Sequence, residues 1–243
     1  MSRVEEARAR MLDLFPGGFE EVDHGDGVEL IAYTDASGEE QLWHAFGAGR
    51  GRDVPDGWED SWRSFHKPVR VGRLWVGPPW EKPDADALAV IVDPGRAFGT
   101  GSHPTTRLCL ELIQDLPAGS VLDVGCGSGV LSIAAAKLGF MPVIARDFDE
   151  AAVSATRENA AANRVAIDVA RADALVDSLP PAELGMANIA LEAVEAIGPR
   201  LEVSRLLTSG YLQSVEPLLS GWRHVDRRRS EGWVADVFER AGS

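Results

Sequence analysis

Val121-Leu122-Asp123-Val124-Gly125-Cys126-Gly127-Ser128-Gly129 decides the fold of this chain. A strand-like run enters glycines at alternate positions, and Val130 to Leu138 reads as a helix directly behind them. Glycine at such a turn lets the backbone bend sharply and approach a ligand with no Cβ in the way. Open α/β sheets hold their cofactors at loops of this kind, at the carboxyl ends of strands. Strand and helix patterns alternate on both sides of the loop. Upstream, Ala87 to Val92 reads as a buried strand and Thr105 to Gln114 as a helix. Downstream come strands at Val143 to Arg146, Ala166 to Ala170, Leu184 to Ile189 and Arg205 to Ser209. Between and after them, helices are expected at Ala151 to Ala162, Leu191 to Leu201 and, briefly, Val215 to Leu219. Arg223 to Arg228 and Trp233 to Phe238 close the pattern as strands joined by Ser230-Glu231-Gly232. The alternation predicts an α/β fold with a doubly wound, mostly parallel sheet. The closing hairpin predicts one antiparallel strand at its end.

The loop spacing narrows the ligand. Pyrophosphate loops carry Gly-x-Gly-x-x-Gly, which rests an anion on a helix N-terminus. Here the spacing is Gly125-x-Gly127-x-Gly129, with an acid, Asp123, beside it. A carboxylate there disfavours a phosphate and favours a cationic amino-acid moiety, such as the methionyl end of S-adenosylmethionine. The alternative reading of a glycine loop, a nicotinamide-dependent oxidoreductase, requires the pyrophosphate spacing. Asp147 ends the next strand about 20 residues on, where a carboxylate can accept both ribose hydroxyls. Asp149 either shares that role or starts the helix at Ala151, and Asp173 is placed to reach the adenine amine. Cys126 reads as a small side chain tolerated between glycines, since no histidine lies nearby in sequence to activate its thiol.

The chain divides near residue 80. Residues 1–55 read as a small α+β substrate-recognition unit, with a helix from Val4 to Leu14 and strands at Phe19 to Val22 and Val28 to Tyr33. Residues 56–83 read as a linker: a short helix at Trp58 to Phe65, then the proline-rich Gly77-Pro78-Pro79-Trp80-Glu81-Lys82-Pro83. Residues 84–243 form the cofactor-binding domain.

Composition limits the partners. Of 243 residues, 45 % are hydrophobic and 26 % charged, which suits a globular protein. The longest apolar run, Ala87 to Val92, is far short of the roughly 20 residues that cross a bilayer. Residues Ser2 to Arg8 contain no signal-like apolar stretch. Cys109 and Cys126 have no partners at metal-ligand spacing, so neither a disulfide framework nor a metal site is expected, and a cytoplasmic location is. Acidic residues outnumber basic ones 38 to 24, for a net charge of −14. That balance argues against nucleic acid, which is bound through clustered Lys and Arg, and suits a basic protein partner. The basic run Arg227-Arg228-Arg229 reads as a solvated strand edge.

Asp93-Pro94-Gly95-Arg96-Ala97-Phe98-Gly99-Thr100-Gly101-Ser102-His103-Pro104-Thr105-Thr106 lies just upstream of the cofactor strand. Its glycines and prolines exclude regular structure, and Thr105 or Thr106 is expected to cap the following helix. This segment resembles the signature of the PrmA family of bacterial ribosomal protein L11 methyltransferases. The similarity continues through Leu122 to Gly129, Asp147-Phe148-Asp149, Asn188-Ile189 and Gly232-Trp233-Val234, spanning residues 58 to 240. It departs from the family in its abbreviated residues 1–55 and in Glu150, where proline is common. The resemblance implies a class I methyltransferase-like sheet of seven strands with the last inserted antiparallel. It also implies that Thr106, Gly125, Asp147 and Asn188 contact S-adenosylmethionine and that Phe98 and Thr100 line the transfer site. The acceptors it implies are lysine side-chain or N-terminal amines of ribosomal protein L11. The same chemistry on another protein or a small-molecule amine is the alternative.

A lysine acceptor must lose a proton before it can attack. With a reference pKa near 10.4, neutrality at pH 7.4 costs about 4 kcal/mol, and a nearby sulfonium and desolvation offset much of it. No strong general base stands out. His103 is the best placed and reads as structural, so orientation carries the chemistry. Asn188, at the end of its strand, can accept from the amine, with the Ile189 carbonyl assisting.

Overall fold

The computed structural model describes residues 4, 7, 10, 11, 14, 15, 19–23, 27–32, 34, 36–47, 49–51, 66–93 and 101–242. The chain divides into two compact units, 1–62 and 63–243.

In the first unit, Val4, Ala7, Arg10, Met11 and Leu14 are helical, as their spacing requires. Strands β1 (Glu20–Asp23) and β2 (Val28–Ile31) pair antiparallel. Helix α1 (Ala36–Phe46) has no counterpart among the expected elements. Gly38 in its first turn, a residue that disfavours helix, conceals it. The Arg10 guanidinium donates to the Ala45 carbonyl at 3.0 Å, tying α1 to the first helical residues. The expected helix at Trp58 to Phe65 lies outside the described residues.

The larger unit begins with a sheet of its own. Strands β3 (Val69–Val71) and β4 (Leu74–Gly77) form a hairpin, and β5 (Leu88–Ile91) pairs parallel to β4. The segment read as a linker therefore carries two strands, and the strand expected at Ala87 to Val92 belongs to this small sheet. Beyond Gly77 the prolines stop β4, because they cannot donate to a ladder.

The principal sheet has seven strands in the order β8-β7-β6-β9-β10-β12-β11. They are β6 (Val121–Val124), β7 (Val143–Asp147), β8 (Asp168–Arg171), β9 (Ala182–Asn188), β10 (Val203–Leu212), β11 (Trp222–Ser230) and β12 (Trp233–Arg240). Strands β8, β7, β6, β9 and β10 run parallel, while β12 lies antiparallel between β10 and β11. This is the class I arrangement implied by the sequence. The closing turn places Glu231 at φ 52° and Gly232 at φ 84°, the paired positive values of a two-residue hairpin loop.

Helices α2 (Pro104–Ile113), α3 (Val130–Lys137), α4 (Glu150–Asn163) and α5 (Leu191–Ile197) connect the strands. Neighbours in a strand serve opposite faces. Leu207 joins a core with Leu108, Ile133 and Val90, and Leu206 joins another with Val194 and Ile197. The expected helix from Leu191 to Leu201 ends early. Pro199, which has no N–H and restricts the residue before it, converts the last turn to a 3-10 turn over Gly198–Arg200. The short helix expected at Val215 to Leu219 is absent. Pro217 cannot donate there, and the Leu218 N–H bonds instead to Glu195 Oε1 at 2.7 Å.

Strand β12 carries one charge into the interior. Asp236 is fully buried and accepts from Arg227 Nε at 2.6 Å, Arg227 Nη2 at 2.9 Å and Tyr211 Oη at 2.8 Å. His224 Nε2 lies 2.7 Å from the same carboxylate, and Thr208 Oγ1 lies 2.6 Å from Tyr211 Oη. Burial pushes the Tyr211 phenol up, so it stays a donor. Arg227 is thus a core ion-pair partner, and Arg228 pairs with Asp115 on α2's C-terminal side. The arginine run is consumed within the chain at these two positions and is no simple solvated edge. Among the described residues no helix is long and apolar enough to cross a membrane.

Candidate active site

Strand order reverses between β6 and β9, because β7 follows β6 on one side while β9 returns to its other side. Such a switch point opens a crevice beyond the carboxyl ends of the strands. The glycine loop leaves β6 at this point. Gly125, Gly127 and Gly129 all have positive φ, at 73°, 54° and 79°. A Cβ at Gly125 would stand 2.5 Å from Ile189 Cγ2, so the loop packs directly against the end of β9.

Asp147 closes the crevice on the β7 side. It is 7 % exposed, and its Oδ2 accepts from the Gly127 N–H at 3.0 Å while Oδ1 accepts from the Asp149 N–H at 3.0 Å. One carboxylate thus braces the glycine loop and keeps lone pairs for a ligand. Asp149 caps α4 through the Ala151 N–H at 2.9 Å, which is the helix-starting role. Asp173 stands just past β8, where the Ala172 N–H donates to the Asp147 carbonyl at 2.9 Å. Its own Oδ1 accepts from the Leu175 N–H at 2.9 Å, leaving the residue exposed at the mouth. Phe148, 70 % exposed, stands beside Asp147 with no core to fill.

Asp123 takes a different place. Its carboxylate lies beneath the loop, 1 % exposed, and accepts from Ser132 Oγ on α3 at 2.5 Å. Burial, with Asp147's charge adding to it, pushes this acid up to about 6, against the pull of the Ser132 hydroxyl. The loop thiol of Cys126 is pushed up to about 12 by burial, so it stays protonated and unreactive.

On the β9 side, Asn188 Nδ2 donates to Thr106 Oγ1 at 3.4 Å, and Thr106 is fully buried in α2. The structure therefore brings Thr106, Gly125, Asn188 and, through Gly127, Asp147 around one crevice. The Ile189 carbonyl packs against Gly210, where a Cβ would come within 2.1 Å of it, so it faces β10. Phe98 and Thr100 lie outside the described residues. Among those described, no cluster of His, Cys, Asp and Glu could hold a metal.

The cap of α2 is His103, not a threonine. Its Nδ1 accepts from the Thr105 N–H at 3.4 Å and lies 2.8 Å from Thr105 Oγ1, and its ring meets Trp233 edge-on at 4.9 Å. Thr105 and Thr106 sit one step further into the helix, buried. Burial and then the Arg107 charge lower the His103 pKa below its ordinary 6.5, with Glu231 opposing. A depressed folded value means the cap contributes above pH 6.5 and is lost as pH falls through the folded pKa. Asparagine caps equally well and does not titrate. His103→Asn is therefore expected to give up the ring contact with Trp233 at every pH, and to lose less melting temperature than wild type between pH 8 and pH 5. Equal melting shifts in both proteins on acidification would remove the capping role.

The residues hidden from sequence reading lie on α4. Thr156 Oγ1 donates to the Gly127 carbonyl at 2.9 Å, and Asn159 Nδ2 to the Ser128 carbonyl at 2.9 Å. Asn163 exchanges bonds with the Ile91 backbone, at 2.8 Å to its N–H and 2.6 Å to its carbonyl. Their signal is faint: polar residues at helical spacing on an alanine-rich helix, where buried positions are expected to be apolar.

Known proteins resemble this arrangement. The family model for ribosomal protein L11 methyltransferase (PrmA) matches residues 31–240. The ribosomal protein L11 methyltransferase of Legionella pneumophila (strain Lens) is 41 % identical over 198 residues, covering 74 % of this chain and 68 % of its own. That of Caldanaerobacter subterraneus subsp. tengcongensis is 33 % identical over 256 residues, covering 91 % and 82 %. A crystal structure of the ribosomal protein L11 methylase from Lactobacillus delbrueckii subsp. bulgaricus superposes with a TM-score of 0.64 at 29 % identity, covering 72 % of this chain and 98 % of that one. By sequence and by fold, the chain belongs to the ribosomal protein L11 methyltransferase family.

Proposed function

We propose that the chain transfers methyl groups from S-adenosylmethionine to lysine side-chain or N-terminal amines of ribosomal protein L11. The observation that carries this reading is the crevice at the switch point, where a left-handed glycine loop braced by Asp147 meets Asn188 and Thr106. The crevice fits the cofactor on its own terms. Side-chain-free backbone at Gly125 and Gly127 admits the methionyl part. Asp147 would accept from the ribose hydroxyls, and Phe148 and Asp173 would hold the adenine. Asp123 lies beneath the loop as a buried negative charge and favours a cationic ligand.

Bound there, S-adenosylmethionine supplies an electrophilic methyl group on a sulfonium. The chain's part is orientation. Asn188, held by Thr106, turns its side-chain oxygen to an incoming amine and aligns the lone pair, and Phe98 and Thr100 complete the transfer site. In-line positioning of this kind supplies roughly 7 kcal/mol or more. The acidic surface, at net charge −14, draws a basic ribosomal protein substrate. Such a substrate places the reaction in the cytoplasm, without nucleic acid or membrane as direct partners.

The test is a transfer assay with labelled S-adenosylmethionine and purified ribosomal protein L11, read by mass spectrometry. Added methyl mass on lysines or the N-terminal amine is the expected result. Calorimetric binding of the cofactor without transfer would move the acceptor to another protein or a small amine. Absence of cofactor binding would end the reading altogether.

A further inference from the structure

Helix α4 does something for this fold that neither strand pairing nor the glycine loop does alone. The outer edge of β5 would otherwise present unpaired backbone groups. Asn163 Oδ1 accepts from the Ile91 N–H at 2.8 Å, and Asn159 Oδ1 accepts from the Asp93 N–H at 3.2 Å. The spacing matches because one helical step of four residues rises about 6 Å, while two strand residues advance about 6.6 Å. The two amides thus stand in for the next strand of the small sheet. The side chain of Asn159 works in two directions, since its Nδ2 also donates to the Ser128 carbonyl inside the glycine loop at 2.9 Å. It is 6 % exposed, and its backbone carbonyl is held by Asn163 Nδ2 at 2.8 Å.

We propose that Asn159 is a positioning residue of the methyl-transfer reaction, a single amide that clamps the glycine loop at Ser128 and the exit of β5 at Asp93. The inference rests on the function proposed above. Asp93 is the residue from which the chain sets out toward Phe98 and Thr100, and Ser128 lies between two glycines of the cofactor loop. One side chain therefore fixes the separation between the start of the transfer-site segment and the cofactor seat. Asn163 is the natural control. It makes three side-chain bonds from the same helix to Asn159's two, but they reach only Ile91 and its own helix.

The test compares Asn159→Ala, Asn159→Asp and Asn163→Ala with wild type, by kcat and KM for S-adenosylmethionine with ribosomal protein L11, by melting temperature, and by amide hydrogen exchange. Losing both arms in Asn159→Ala is expected to lower kcat roughly 10-fold or more and to raise the cofactor KM a few-fold. The Asp93 amide then exchanges roughly 10-fold faster or more. Asn159→Asp keeps the acceptor for Asp93 and removes the donor to Ser128, so it is expected to raise KM while the Asp93 amide stays protected. Asn163→Ala is expected to melt early and expose the Ile91 amide with kcat within about 2-fold of wild type. Equal kcat losses in the two alanine variants at matched melting temperature would reduce Asn159 to a structural residue and overturn the proposal. So would an Asp93 amide whose protection is unchanged in Asn159→Ala. A wild-type protein that transfers no methyl group would instead refute the proposed function, and the exchange readout would still decide whether the clamp exists.

Discussion

Asp147→Ala is expected to weaken S-adenosylmethionine binding by roughly 100-fold or more, because two charge-assisted bonds to ribose hydroxyls are worth about 1.5–3 kcal/mol each. A second effect adds to this. The same carboxylate accepts from the Gly127 N–H at 3.0 Å, so its removal also loosens the glycine loop proposed to seat the methionyl part. The fold should survive, since Asp147 stands at a strand end and the apolar clusters on either side of the sheet do not include it. Titration calorimetry with cofactor, alongside a thermal melt, separates the two effects. Unchanged affinity in a folded variant would sink the placement of the ribose.

Asp236→Ala is expected to be the most damaging single change to stability. It leaves the Arg227 guanidinium, with a side chain only 9 % exposed, without the carboxylate it grips with two nitrogens. Removing one partner of a buried pair costs about 3–5 kcal/mol. For a chain of this size that lowers Tm by roughly 10 °C. Removing the stranded charge as well, in Asp236→Ala with Arg227→Met, is expected to recover part of the loss, because the orphaned cation is its main source. Calorimetric melts of both variants check the argument. A single variant that melts within about 2 °C of wild type would show that the network adds nothing.

The sheet and the glycine loop are legible because backbone necessity writes them in residue types. Three alternate glycines are needed where a strand must turn under a ligand, and the buried strands Val121–Val124 and Val143–Asp147 are apolar enough to stand out between helices. Asp147 and Asn188 were legible because they end strands whose carboxyl ends meet at the switch point. What stayed hidden depends on contacts between distant parts of the chain. Thr156, Asn159 and Asn163 are ordinary helix residues until the chain folds and brings Gly127, Ser128, Asp93 and Ile91 against them. Strands β3 and β4 are too short to show a period, and β4 is buried throughout, so it has no alternation to read. The helix expected at Val215 to Leu219 failed for a local reason, since Pro217 outweighed the spacing of the apolar residues around it. His103 displaced the expected threonine cap because its ring packs on Trp233, a contact no local pattern announces.

The placement of β12 between β10 and β11 also sets an order of events during synthesis. Strand β11 emerges from the ribosome first and has no place in the sheet until β12, which follows it, has arrived to pair with both neighbours. Until then β10 offers an open edge and Arg227 lacks the Asp236 it will grip. Released chains truncated before Trp233 should accordingly remain sensitive to protease across residues 203–230, and chains that run through Arg240 should be protected there.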